Sequence, residues 1–172
     1  MRRDPLISTA STEPSDESKS PARRSRRLNI LHVEDNVEEV TLTRHLLSRN
    51  DDIQYDVKNA PGLNVAAQHL SHINYDAMLL DLNLGDGEGV YTLLWAAPFM
   101  SKLPVIVLSG SDNERLRDAA LNVGAQDYLV KGSFSRESLS EAIIKAIENH
   151  QRAGEGRLST ATEDESQREA LP

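Results

Sequence analysis

The 172-residue sequence contains no cysteine. That excludes a disulfide scaffold and a thiolate metal site, and it fits a reducing compartment. No apolar run approaches the roughly 18 residues that a membrane helix needs, so no membrane insertion is expected. Arg2 and Arg3 are not followed by an apolar core, so the N-terminus does not read as a secretory signal. The expected location is cytoplasmic. No Gly-x-x-x-x-Gly-Lys-Ser/Thr segment occurs. A P-loop nucleotidase is therefore excluded, although Met78-Leu79-Leu80-Asp81 resembles a Walker B strand. No internal repeat is present.

Charge is present but unevenly spread around a net −8. Residues 1–27 hold seven basic and four acidic side chains, and residues 151–172 hold three basic and five acidic. The body between them is strongly acidic, so the folded part is not expected to bind nucleic acid. Residues 1–27 are rich in Ser, Pro, Arg and Glu without an apolar period, and they are expected to form a disordered basic arm. Residues 151–172 read as a disordered polar tail. The ordered unit is 28–150, one domain. The stretch after residue 150 is too short and polar for a second core, so action through protein–protein contact is expected.

Five apolar strands alternate with five helical stripes. Residues 28–33 form the first strand, ending in Glu34-Asp35. Asn36 is placed to cap the next helix, with Glu38 and Glu39 where the dipole favours acids. That helix carries Val37, Val40 and Leu47 and runs to about Ser48, before an Asn50-Asp51-Asp52 turn. Ile53, Tyr55 and Val57 alternate, as in an edge strand with one wetter face. Ala60-Pro61-Gly62 opens a helix with Leu63, Ala66, Ala67 and Leu70 on one side. Residues 75–81 end in Asp81, and Ala77 to Leu80 suit a strand buried on both faces.

Val90, Leu93, Leu94 and Ala97 give a third helical stripe, closed by Pro98. Residues 103–108 are a buried strand ending in Ser109-Gly110. Ser111-Asp112-Asn113-Glu114 reads as a capping box for a helix with Leu116, Ala119, Ala120 and Val123, closed by Gly124. Residues 127–130 lead to Lys131-Gly132. Ser135 is placed to cap the last helix, with Phe134 and Leu139 as a hydrophobic staple. This pattern predicts an α/β fold: one five-stranded parallel sheet, doubly wound as (βα)5, in the flavodoxin-like order 2-1-3-4-5.

That order brings the strand ends Glu34-Asp35, Asp81, Ser109 and Lys131 to one edge, where open sheets hold ligands. Three clustered carboxylates repel one another unless a cation joins them. Hard oxygen donors in a partly wet cluster suit Mg²⁺. Lys131 and Ser109 offer the ammonium and hydroxyl that hold phosphoryl oxygens during in-line transfer. Asp81 is the natural nucleophile, because a carboxylate forms an acyl phosphate.

These residues resemble the response-regulator receiver domain of two-component signalling, over about 28–150. Its motifs are an acidic pair after strand one, Asp after strand three, Ser or Thr after strand four and Lys after strand five. The resemblance implies that Asp81 accepts a phosphoryl group from a histidine kinase or a histidine phosphotransfer protein. It implies that Asp35, Asp81 and the backbone carbonyl of Asn83 bind Mg²⁺, with Glu34 acting through water. Lys131 and Ser109 contact the phosphoryl group, and Tyr128 takes the aromatic switch position. It also implies a downstream protein target, docked on the fourth helix, fifth strand and fifth helix.

Two departures stand out. Gly132 occupies the usual proline position after the lysine, so an isomer lock is absent there. The loop after Asp81 also lacks its usual proline, although Asp86-Gly87 keeps a turn. A haloacid-dehalogenase-type hydrolase needs a second aspartate two residues after the nucleophile, and Asn83 stands there. The remaining rival is a receiver-like binding module that works without phosphorylation. His32 is expected to pack in the core, and Trp95 to pack on its helix.

Overall fold

The computed structural model describes residues 25–48 and 52–168. The chain begins with β1 (Arg26–Val33), α1 (Val37–Leu47), β2 (Ile53–Ala60), α2 (Leu63–His72) and β3 (Ala77–Asp81). A two-stranded hairpin comes next, β4 (Asn83–Leu84) and β5 (Gly87–Glu88). The chain continues through α3 (Val90–Met100), β6 (Val105–Ser109), α4 (Glu114–Val123), β7 (Asp127–Val130) and α5 (Arg136–Arg168).

The five long strands pair in parallel in the order β2-β1-β3-β6-β7, the predicted 2-1-3-4-5 arrangement. Successive side chains on a strand point to opposite faces, and here each face has its own core. Leu31, Val33, Met78, Leu80, Val105 and Val107 pack against Ala66 of α2, Leu93 and Ala96 of α3 and Ala120 of α4. Leu28, Ile30, Leu79, Ile106 and Leu108 pack against Leu47 of α1 and Leu139, Ile143 and Ile147 of α5. Burial on both faces explains why β3 and β6 are continuous apolar runs.

Several local expectations hold. Asn36 caps α1, its Oδ1 accepting from Glu38 and Glu39 N–H. Ser135 caps α5 by accepting from Ser138 N–H at 3.2 Å, and Ser138 Oγ accepts from Ser135 N–H at 2.8 Å. The staple pair joins the same core, with Leu139 buried and Phe134 packed against it.

Other expectations need correction. The first strand starts at Arg26, because Arg26 N–H donates to Asp52 O and Arg26 and Arg27 pair with Ile53 and Gln54. The rest of the proposed arm, residues 1–24, and most of the turn at 50–52 lie outside the described residues. The last helix does not stop near 150 but runs to Arg168, and residues 169–172 of the proposed tail lie outside the described residues. Pro98 sits inside α3, which continues to Met100. It forfeits the bond to Leu94 O, a loss placed on the exposed side of the helix. The buried side of α3 is Thr92, Leu93, Ala96 and Met100, while Val90 and Leu94 are exposed. A helix apolar on most sides gives periodicity little to choose between. Asn113, not Ser111, caps α4, accepting from Leu116 N–H.

Candidate functional site

The strand register builds the site. Val33 pairs with Leu80, so Glu34 stands level with Asp81 at adjoining strand ends. Asp81 pairs with Leu108, and Ser109 with Val130, the residue before Lys131. The expected residues Glu34, Asp35, Asp81, Ser109 and Lys131 therefore share one edge. Each of Glu34, Asp35 and Asp81 offers a ligand oxygen, and these oxygens lie within 4.8 Å of one another. Asp35 is exposed, whereas Glu34 and Asp81 are 1% and 3% exposed.

Lys131 joins the two buried carboxylates. Its Nζ lies 2.5 Å from Glu34 Oε2 and 3.1 Å from Asp81 Oδ2. Glu34 thus makes a direct ion pair with Lys131. Burial pushes the Glu34 carboxyl above its usual range, and the neighbouring Asp81 charge adds to this. The Lys131 hydrogen bond and the Asn36 N–H at 3.1 Å oppose the rise. Burial also opposes the Lys131 charge, but the bond to Glu34 and the charge of Asp81 outweigh it and hold the ammonium above the ordinary lysine value.

The loop after β3 closes over the acids. Asn83 N–H donates to Asp81 Oδ1 at 3.2 Å, and Gly85 N–H donates to Asp35 Oδ2 at 2.9 Å. Asn83, expected to lend its carbonyl to a metal, opens the β4–β5 hairpin beside the cluster.

At the β6 end, the Ser109 hydroxyl donates to Ser111 O at 3.2 Å and accepts from Ser111 N–H at 3.3 Å. The Tyr128 hydroxyl donates to the same carbonyl at 2.9 Å. Tyr128 is 2% exposed, so its ring points inward. Arg117 lies over that ring, 4.8 Å from its centroid, and donates to Tyr128 O at 3.2 Å and to Asp112 Oδ1. Sequence reading missed Arg117 and the Ser111 carbonyl. A backbone acceptor has no residue signature, and an arginine on a helix of mixed charge reads as surface.

His32 is fully buried, as expected. Among the described residues neither ring nitrogen has a hydrogen-bond partner. Burial lowers its pKa to about 3, helped by the charges of Lys131 and Arg44. The ring is neutral in the fold.

The arrangement brings together a buried carboxylate, an ammonium beside it, a serine hydroxyl and hard oxygen donors. The three carboxylates fit a cation of the magnesium class by donor chemistry and spacing.

Known proteins resemble the chain in sequence and fold. The family model described as response regulator receiver domain matches residues 30–144. Transcriptional regulatory protein BasR of Escherichia coli (strain K12) is 32% identical over 131 residues, 76% of this chain and 57% of BasR. KDP operon transcriptional regulatory protein KdpE of the same organism is 32% identical over 126 residues, 71% of this chain and 52% of KdpE. The chain spans about half the length of these curated relatives. The crystal structure of the signal receiver domain of an HD domain-containing protein from Pseudomonas fluorescens Pf-5 matches with a TM-score of 0.64 at 24% identity. That match covers 76% of this chain and 94% of the other, and it shows the fold alone.

Proposed function

The chain belongs to the response regulator receiver domain family, and from that premise we propose that Asp81 accepts a phosphoryl group from a histidine kinase or histidine phosphotransfer protein. One observation carries the reading. Asp81 is buried at the end of β3 with the Lys131 ammonium 3.1 Å from Oδ2 and the carboxylates of Glu34 and Asp35 beside it.

A carboxylate oxygen of Asp81 attacks phosphorus. The new O–P bond forms as the donor's P–N bond breaks, and the imidazole leaves with that electron pair. Lys131 moves from its carboxylate partners toward the phosphoryl oxygens and offsets their charge. Ser109 leaves Ser111 and donates to a phosphoryl oxygen. Asp35, Asp81 and the Asn83 carbonyl would hold Mg²⁺, with Glu34 linked through water. Bound there, Mg²⁺ supplies the positive charge that lets carboxylates and phosphoryl oxygens share one site. The Ser109 and Tyr128 rearrangement is the proposed switch, read by a downstream protein partner on α4, β7 and α5. We place this work in the cytoplasm. Among the described residues, no helix is long and apolar enough to cross a membrane.

A second reading has one observation in its favour. Tyr128 is buried and its hydroxyl is anchored on Ser111 O, the inward ring position that a binding module needing no phosphorylation would hold. Intact mass after incubation with Mg²⁺ and acetyl phosphate separates the two. A one-phosphoryl gain, abolished by chelator and absent from Asp81→Ala, supports the receiver reading. No gain under conditions that trap labile adducts supports the module.

A further inference from the structure

The helix α2 begins without a cap of its own. Gly62 occupies the N-cap position and has no side-chain acceptor, yet the first N–H groups of a helix need partners. The partner comes from the far side of β3. Asp86 accepts from Leu63 N–H with Oδ1 at 3.1 Å and Oδ2 at 2.9 Å, and Oδ2 accepts from Asn64 N–H at 3.5 Å. A carboxylate suits this place because the helix dipole is positive there.

Two glycines make the approach possible. A Cβ at Gly62 would stand 2.7 Å from Asp86 Oδ2. A Cβ at Gly87 would stand 2.7 Å from Leu63 Cδ1 and 2.9 Å from Thr92 Oγ1. The opposite side of the same hairpin meets the site, through Asn83 N–H on Asp81 and Gly85 N–H on Asp35. Asp86 directly succeeds Gly85.

We infer that Asp86 is a positioning residue, which anchors the β4–β5 hairpin on the α2 N-terminus and thereby fixes the carboxylates of Asp35 and Asp81. The consequence for Mg²⁺ rests on the proposed function. The anchoring of the hairpin does not.

The test compares Asp86→Ala and Asp86→Asn with Asn113→Ala, which removes a cap from α4 instead. Amide hydrogen exchange across 82–89 is measured without metal, and Mg²⁺ affinity by calorimetry. Asp86→Ala should speed exchange at Asn83 and Gly85 roughly tenfold and weaken Mg²⁺ binding roughly tenfold. Asp86→Asn keeps an acceptor oxygen and should restore most of both, while Asn113→Ala should change neither. Gly62→Ala is a second route, because its extended backbone (φ 178°) accepts alanine while the new Cβ displaces the carboxylate. It should reproduce the faster exchange even if Asp86→Ala folds poorly. Parental exchange at Asn83 and Gly85 in Asp86→Ala and Gly62→Ala would overturn the inference. If the parent protein binds no Mg²⁺, the metal reading fails, and the exchange comparison still decides the role of Asp86.

Discussion

The hydroxyls of Ser109 and Tyr128 meet on a single acceptor, the carbonyl oxygen of Ser111, at 3.2 and 2.9 Å. One residue ends β6 at the acidic edge of the sheet. The other is a buried ring in β7. A change that draws Ser109 away leaves Tyr128 as the remaining hydroxyl donor to that oxygen, so the two ends are coupled through one backbone atom.

The ring and the hydroxyl of Tyr128 should separate energetically. Tyr128→Phe loses a hydrogen bond and should cost about 1 kcal/mol. Tyr128→Ala leaves a cavity in the core and should cost about 4 kcal/mol. Urea unfolding of both variants checks the difference. Partner binding by phosphorylated Tyr128→Phe then tests the switch, since binding equal to the parent would leave the hydroxyl no part in it.

Removing Lys131 should strand two buried acids. Lys131→Met should abolish phosphorylation by acetyl phosphate and cost about 3 kcal/mol at pH 7. Without the ammonium, the already raised Glu34 pKa should climb further. A folded-state carboxyl pKa above the unfolded one means that the fold binds more protons, so the variant gains stability relative to the parent as pH falls toward 4.5. Unfolding curves at pH 7 and pH 5 measure this. An equal deficit at both values would contradict it.

The buried, unpartnered ring of His32 should make the domain acid-sensitive. Its pKa is about 3 in the fold against 6.5 as the ordinary value. The unfolded chain therefore takes up the proton first. Stability from this residue is complete above pH 6.5 and is lost as pH falls toward 3. The loss by pH 5 is about 2 kcal/mol. His32→Leu should remove that dependence, seen as a flatter profile of stability between pH 7 and pH 5.

The turn after Lys131 should refuse the proline that the family usually has there. Gly132 holds φ +78°, and Ser133 N–H closes the turn on Val130 O at 3.1 Å. Proline fixes φ near −65°. Gly132→Pro should rebuild the turn and slow phosphorylation by displacing the Lys131 ammonium. Gly132→Ala keeps the turn at a strain of about 1 kcal/mol. Phosphorylation rates and thermal melts of the two variants make the check.

The sheet order was legible because β3 and β6 are apolar on both faces while β2 alternates. The convergence of Glu34, Asp35, Asp81, Ser109 and Lys131 came from that order. Side-chain partnerships did not. Nothing local tells Glu34 to seek Lys131 across the sheet, or Asp86 to cap a helix that begins 23 positions earlier. The bare glycine at the start of α2 was the available hint, since a helix start without Ser, Thr, Asp or Asn must borrow an acceptor. The inward side of α3 was missed because Val90 and Leu94 fit an apolar stripe as well as Leu93 and Ala96 do.

The two outermost strands bear on how this protein meets others. Among the described residues, β7 has four residues and pairs with one strand, β6. β2 is longer, but among the described residues it too pairs with a single strand, and it sets Gln54, Asp56 and Lys58 outward, with Lys58 Nζ 3.8 Å from Asp56. A short border and a charged one are poor templates for an added strand. Backbone zippering with a second copy is therefore disfavoured. That leaves the helices and the loops at the acidic end as the surfaces for the proposed partner, and these adjoin Asp81.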